Sequence, residues 1–194
     1  MDAARQWIRG LGPELLVQAL LVEALLTAVE VDARWDWLEL GCSVAEGRGD
    51  ALSDLDVGLG YVGEQPPPVE EVSDMLRRLG EVIDLSASLW NGVPRWWIQY
   101  ADGGQIDLVV LPASSRTGRA PGSVALLDRT GRLSDTFTPQ ISRASPEDLH
   151  GWLLDGWEAL SNVAKYLQRG SILEAIEQIH RARTAVFRLW TAGE

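Results

Sequence analysis

The chain has 194 residues, 46% of them hydrophobic, with 28 acids against 17 bases and a net charge of −11. That excludes a disordered chain, and the shortage of clustered Lys and Arg, with Lys165 as the single lysine, argues against a nucleic-acid polymer as partner. Cys42 is the single cysteine, so neither an intrachain disulfide nor a thiolate zinc cluster can form, which fits a reducing, cytoplasmic setting.

The N-terminal MDAARQWIR lacks the balance of a secretory leader, and no small-residue cleavage site follows it. The most apolar stretch, LLVQALLVEALLTAV at 15–29, falls short of a ~20-residue membrane span and is interrupted by Gln18 and Glu23. It reads as a buried helix over 13–30, opened by Pro13, and no membrane role is expected. WDWLELG (35–41) alternates as a strand. A stretch rich in Gly, Ser and acid follows, holding a short helix near 44–51 or a plain loop, and DLDVGLGYV (54–62) reads as a second strand. EQPPPVEE is a surface linker because a proline run continues neither element, and 69–82 carries apolar residues at helical spacing up to a Gly stop.

Strand candidates follow at 82–90, 94–101 and 105–111, joined by the turns WNGVP and ADGG, whose Asn-Gly and Asp-Gly pairs suit hairpins. SVALLD (123–128) is a last short strand. SPEDL (145–149) opens a helix, with Ser145 as cap, Pro146 first, and Glu147 and Asp148 in the first turn. The pattern then stays helical to 191, broken at Gly170, which gives two helices at 146–168 and 171–191. The expected class is α/β in the α+β sense: a mixed sheet with flanking helices over residues 1–140, then a helical hairpin over 145–194. So many hairpin turns argue against a doubly wound parallel sheet.

Chemistry concentrates in the carboxylates. Asp54 and Asp56 are two apart in a run of Leu, Val and Gly, so the strand period puts both on one face. Like charges that close repel, and a divalent cation resolves the conflict. Asp107 lies inside the apolar run IDLVVLP, and if its strand pairs beside 54–60 the three acids converge. Three converging acids can hold two magnesium ions. Gly41, Cys42 and Ser43 end one strand and open a helix, where backbone N–H groups and the Ser43 hydroxyl can meet phosphate oxygens. By itself a D-x-D reads more readily as a strand end carrying two solvated acids; the Gly-x-Ser ahead of it and Asp107 in a later strand favour the site.

The order strand, Gly-x-Ser, short helix, Ser-Asp-Leu-Asp-Val over 38–60 resembles the signature of the DNA polymerase β-type nucleotidyltransferase superfamily, and the helical pair is similar to the C-terminal helices of its small antibiotic-modifying members. The resemblance implies a nucleotidyltransferase sheet, two magnesium ions, a nucleoside triphosphate donor (ATP first) and transfer of a nucleoside monophosphate to a hydroxyl of a small molecule, an antibiotic among the candidates. It assigns Asp54 and Asp56 to metal, Asp107 to metal and the acceptor proton, and Gly41 and Ser43 to the triphosphate. Two residues depart from the pattern: Cys42 stands where the relatives carry glycine, and Glu46 where many carry arginine, leaving Arg48 to supply the positive charge. Lys165 is a further triphosphate candidate, Glu158 a candidate base, and one of Trp96 and Trp97 a stacking surface. His150 and His180 are lone histidines on helices, with no paired ligand in the pattern.

A second reading stands beside this one: a catalytically weak nucleotide-binding protein, or the antitoxin-like partner of a helical protein. The chain also leaves room for a homodimer, because its last amphipathic helix would carry an open apolar face. Phosphatases of the haloacid dehalogenase type fit poorly, since Gly58 stands where their motif wants Thr or Val.

Overall fold

The computed structural model describes residues 3–138 and 143–192. The chain divides into two compact units, Met1–Pro139 and Gln140–Glu194.

The first unit opens with α1 (Ala3–Arg9), a helix that MDAARQWIR is too short to announce by periodicity. Arg5 ties it to α2 (Leu16–Glu30) through ion pairs with Glu23 at 2.9 Å and Glu30 at 2.6 Å. A 3₁₀ turn at Pro13–Leu15 starts α2 where proline was expected to start a helix. No single helix among the described residues is long and apolar enough to cross a membrane, and the apolar side of α2 (Leu21, Val22, Leu25, Leu26, Val29) is buried.

Six strands follow: β1 (Trp35–Leu40), β2 (Leu55–Tyr61), β3 (Val82–Trp90), β4 (Val93–Tyr100), β5 (Gln105–Pro112) and β6 (Val124–Asp128). The short helix α3 (Cys42–Ala45) lies after β1, and α4 (Val69–Arg77) after β2. The helix expected near 44–51 is thus earlier and a single turn long; Gly47, at φ 71°, stops it.

The strands form one mixed sheet in the order β3-β4-β5-β2-β1-β6. β2 and β5 run parallel at the centre, and the other pairs are antiparallel. The β3–β4 turn is Asn91-Gly92, both residues at positive φ (51° and 79°), the backbone that hairpin turns of this length require. One face of the sheet carries Leu38, Leu40, Leu55, Val57, Leu59, Trp96, Ile98, Ile106 and Leu108 into the main core with α2 and α4. Trp96 Nε1 donates to Ser73 Oγ at 3.0 Å and the Tyr100 hydroxyl donates to the Leu76 carbonyl at 2.9 Å, so α4 is both packed and hydrogen-bonded to that face.

The second face belongs to the alternate residues. Fully buried Trp37 packs there with Ala113 and Leu133. Its ring lies flat on the strand beside it, where a Cβ on Gly60 would come within 2.1 Å of it. The rest of this face is open and forms a cleft.

The second unit is a helical hairpin, α5 (Pro146–Gln168) and α6 (Ile172–Thr191). The expected cap is present as a reciprocal box: the Asp148 N–H donates to Ser145 Oγ at 3.1 Å and the Ser145 N–H to Asp148 Oδ2 at 2.9 Å. Gly170 turns the chain at φ 71°. Ala159, Ala175, Ala182 and Ala185 are buried between the helices, small side chains that let the two backbones approach.

Candidate active site

The register of the two parallel central strands sets the site. Asp56 of β2 lies directly opposite Asp107 of β5, so both side chains stand on the open face. Gly58 and Val109 continue that lane, and Trp97 of β4 is in register with Asp107. Asp56, Gly58, Asp107 and Val109 line a cleft of about 370 Å³ together with Glu39, Gly41, Trp90, Arg95, Arg116, Ala120 and Ser123. Of the adjacent tryptophans, Trp96 is core and Trp97 is half-buried on the side that bears the acids.

The approach to Asp56 is tied down from both sides. Gly41 N–H donates to the Asp56 carbonyl at 2.9 Å, which fixes the end of β1 against the start of β2. The loop before β2 is held by buried Gln18, whose amide donates to the Ser53 carbonyl at 2.9 Å, and by Asp50, which accepts from the Leu52 N–H at 2.9 Å. Asp54 comes out of this loop one residue before β2 begins, so the sheet does not dictate its direction as it does for Asp56. Its charge is nevertheless felt: the Asp56 carboxyl is held above the usual carboxylate range, first by desolvation, then by Asp54 and Asp107, against the lowering effects of the Cys42 thiol and Arg95.

Asp107 already has a cation. The Arg95 guanidinium on neighbouring β4 grips it in a fork, with Nε donating to Oδ1 at 2.6 Å and Nη2 to Oδ2. Among the described residues no group of three or more Asp, Glu, His or Cys side chains stands together as a ready-made metal cage. The donor set still suits magnesium, which typically takes one or two carboxylates and fills its remaining positions with water and phosphate oxygens. A crowded carboxylate with a raised pKa is the observation that fits a cation here.

Ser43 is half-buried in the single turn of α3, where the first amides have no intrahelical acceptor. Gly41 leads into that turn, but its own N–H is engaged by Asp56, so it contributes room and not a phosphate donor. Cys42 has φ 54°, the left-handed region that glycine tolerates and side chains disfavour. Its thiol is pushed up to about 11 by desolvation, then by its hydrogen bond to Asp56 and by the nearby acids Asp54 and Glu46. Arg48 is an exposed side chain paired with Glu46, so the two charges neutralise one another outside the cleft lining. Lys165 belongs to the second unit, donates to Asn162 Oδ1 at 2.5 Å and lies 4.9 Å from the Tyr166 ring. Glu158 is exposed on α5.

The pattern reading missed the far wall of the cleft. Glu39, 3% exposed, accepts from the Ala120 N–H and the Ser123 hydroxyl, each at 2.6 Å, and from Arg116 Nη2 at 2.5 Å. Arg116 in turn lies 5.8 Å from the Trp37 ring centre and 5.3 Å from that of Phe137. This carboxylate therefore clamps the loop after β5 to the sheet. The signal was available: Glu39 is an acid inside an apolar strand, the feature that singled out Asp56 and Asp107.

Fold and site together define a mixed six-stranded α+β sheet that presents an acid pair on its two parallel central strands, followed by a helical hairpin. No protein-family model matches the chain, and no curated protein matches its sequence. Among solved structures it is similar to an aminoglycoside 6-adenyltransferase from Bacillus subtilis, at 15% identity and a TM-score of 0.34 over 88% of this chain and 65% of that one. It is also similar to a poly(A) polymerase complex, at 23% identity and a TM-score of 0.38 over 57% of this chain and 40% of that one. A third is terminal uridylyl transferase 4 from Trypanosoma brucei with bound UTP and UMP, at 12% identity and a TM-score of 0.35 over 57% and 39%. The chain spans less than two-thirds of the length of each, and at these TM-scores the likenesses carry no functional inference.

Proposed function

We propose that the protein is a magnesium-dependent nucleotidyltransferase that moves a nucleoside monophosphate from a nucleoside triphosphate, ATP in the first instance, to a hydroxyl of a small molecule. The observation that carries this reading is the pair Asp56 and Asp107, adjacent on parallel strands at the floor of a cleft and next to the Gly41-Cys42-Ser43 turn. Asp54 and Asp56 would hold the cation, with Asp107 joining when Arg95 leaves its carboxylate. Bound magnesium, as two ions when the site is filled, would supply neutralisation of the triphosphate and acidify the acceptor hydroxyl. Ser43 and the first amides of α3 would meet the outer phosphates. Arg95, once off Asp107, is close enough to the same cleft to take a phosphate oxygen. The acceptor oxygen would attack the α-phosphorus in line, its proton passing to Asp107 and pyrophosphate leaving. A net charge of −11 favours a cationic acceptor, and amine-bearing antibiotics belong to that class.

The test is calorimetric titration of ATP and GTP, with and without magnesium, into wild type and Asp56→Ala, followed by pyrophosphate release across a panel of hydroxylated amines. Magnesium-dependent binding that disappears in Asp56→Ala supports the site; absence of binding to wild type refutes it. Two observations favour the second reading, a nucleotide-binding protein of little catalytic power: Arg95 occupies both oxygens of Asp107, and Cys42 puts a side chain where glycine suits the backbone. Nucleotide binding with no pyrophosphate from any acceptor would select it.

A further inference from the structure

The helical hairpin has two unlike faces. At about 100° per residue, the buried alanines Ala159, Ala175, Ala182 and Ala185 define the line along which α5 and α6 touch. Roughly a third of a turn further round α5 lies an exposed stripe that includes Leu153, Trp157 and Leu160. Roughly a third of a turn further round α6, in the same winding sense, lies another that includes Ile176, Ile179 and Phe187. Because the helices are antiparallel, the two stripes fall on the same side of the hairpin and merge. The opposite side is polar: Asp155 from α5 and Glu177, His180, Arg181 and Arg188 from α6 surround one depression there. Among the described residues, Arg183 is the one charge on the two apolar stripes, and its long stem can lie along the face with its head at the rim.

The exposed area is too large to be incidental. Trp157 is 72% exposed, and Phe187 and Trp190 are 69% exposed. With the Leu and Ile residues of both stripes, the apolar surface reaches roughly 1,000 Å², where the largest patch on an ordinary monomer is ~300–600 Å². A stable interface takes about 800 Å² from each partner, so the face suffices for one.

We propose that this face is a homodimer interface, in which the hairpin of one copy packs on the hairpin of a second to complete a four-helix bundle. The geometry suits a twofold contact. The face is made by two antiparallel helices of similar length, 23 and 20 residues, so it is its own complement in extent and character. A two-helix hairpin has no core of its own beyond the alanine line, and a second hairpin supplies the missing layer.

The experiment is sedimentation velocity on the full chain over a dilution series, with circular dichroism as the folding control. Wild type is expected to sediment at twice the chain mass and to dissociate on dilution. Trp157→Glu and Phe187→Glu should each raise the dimer dissociation constant at least ~30-fold, as removal of central aromatic anchors does. Arg181→Glu, on the polar side, should leave it unchanged. A second readout needs no variant: amide exchange in 149–160 and 176–190 should slow as wild-type concentration rises. A monomer at every concentration overturns the proposal, whether the face stays open or folds onto the chain's first unit. So does a larger assembly, a dimer indifferent to Trp157→Glu and Phe187→Glu, or amide exchange independent of concentration.

Discussion

Replacing Glu39 with Gln keeps the shape of the side chain and changes one oxygen into an amide nitrogen. In the wild type one carboxylate oxygen accepts from the Ala120 N–H and the Ser123 hydroxyl, and the other accepts from Arg116. The glutamine can satisfy one side only. If its oxygen keeps Ala120 and Ser123, its NH₂ faces the Arg116 guanidinium, donor against donor. Losing a charge-assisted hydrogen bond costs about 1.5–3 kcal/mol, and stripping a partner from a fully buried pair about 3–5 kcal/mol. The Glu39 side chain is 4% exposed but that of Arg116 is 24% exposed, so water relieves part of the penalty. The expected loss is about 2–3 kcal/mol, or roughly 4–12 °C in melting temperature for a chain of this size. Urea unfolding followed by tryptophan fluorescence measures it, as a lower midpoint at unchanged slope. In a double-mutant cycle with Arg116→Met the two losses should fail to add, because they remove the same pair. A loss below about 0.5 kcal/mol, the level of an ordinary surface change, would refute the view that Glu39 clamps the cleft wall.

Three further outcomes follow from the acid cluster and the turn beside it. Because the folded-state pKa of Asp56 is raised above its unfolded value, the folded state holds more protons and stability falls as pH rises through that interval. Asp56→Asn should therefore stabilise the ligand-free protein at pH 7, with the gain vanishing below the ordinary aspartate pKa; thermal melts across that range check it, and an Asn variant less stable at pH 7 contradicts the crowding. The Cys42 thiol, pushed up to about 11, should react slowly with iodoacetamide at pH 8 despite its exposure, and its rate should rise toward pH 11. Asp56→Asn should bring that midpoint down. Cys42→Gly should stabilise the protein by up to about 1 kcal/mol, since a side chain in the left-handed region costs roughly 1–2 kcal/mol and glycine returns part of that as chain entropy; a destabilised variant would mean that the thiol's contacts outweigh the backbone.

Much of the fold was legible because it rests on local signals. The strands at 82–90 and 105–111, the Asn91-Gly92 turn, the Ser145 cap and the break at Gly170 are each specified by a few neighbouring residues. Where local signal ran thin, so did the reading. α1 is seven residues long, too short for a helical period to stand out. Of the short helix or plain loop expected near 44–51, the chain forms a single helical turn over Cys42–Ala45, because a positive φ at Gly47 stops it. In the site, Asp56 and Asp107 stood out as acids in apolar runs. Glu39 carries the same mark, but the partners that give it a role lie 77 to 84 residues away along the chain.

Periodicity, capping and turn chemistry act over a handful of residues, so the order of elements from α2 onward, the acids and the turn of Gly41, Cys42 and Ser43 are legible in the chain alone. How those acids are placed depends on packing across the sheet. The parallel register of β2 and β5 puts Asp56 beside Asp107, while Asp54, ahead of the strand, is left outside that constraint. The antiparallel neighbour β4 brings Arg95 onto Asp107, and β1 brings Glu39 to the loop after β5. Strand order and register are set by how whole apolar faces bury against α2 and α4, a balance summed over the domain that no short stretch of residues encodes.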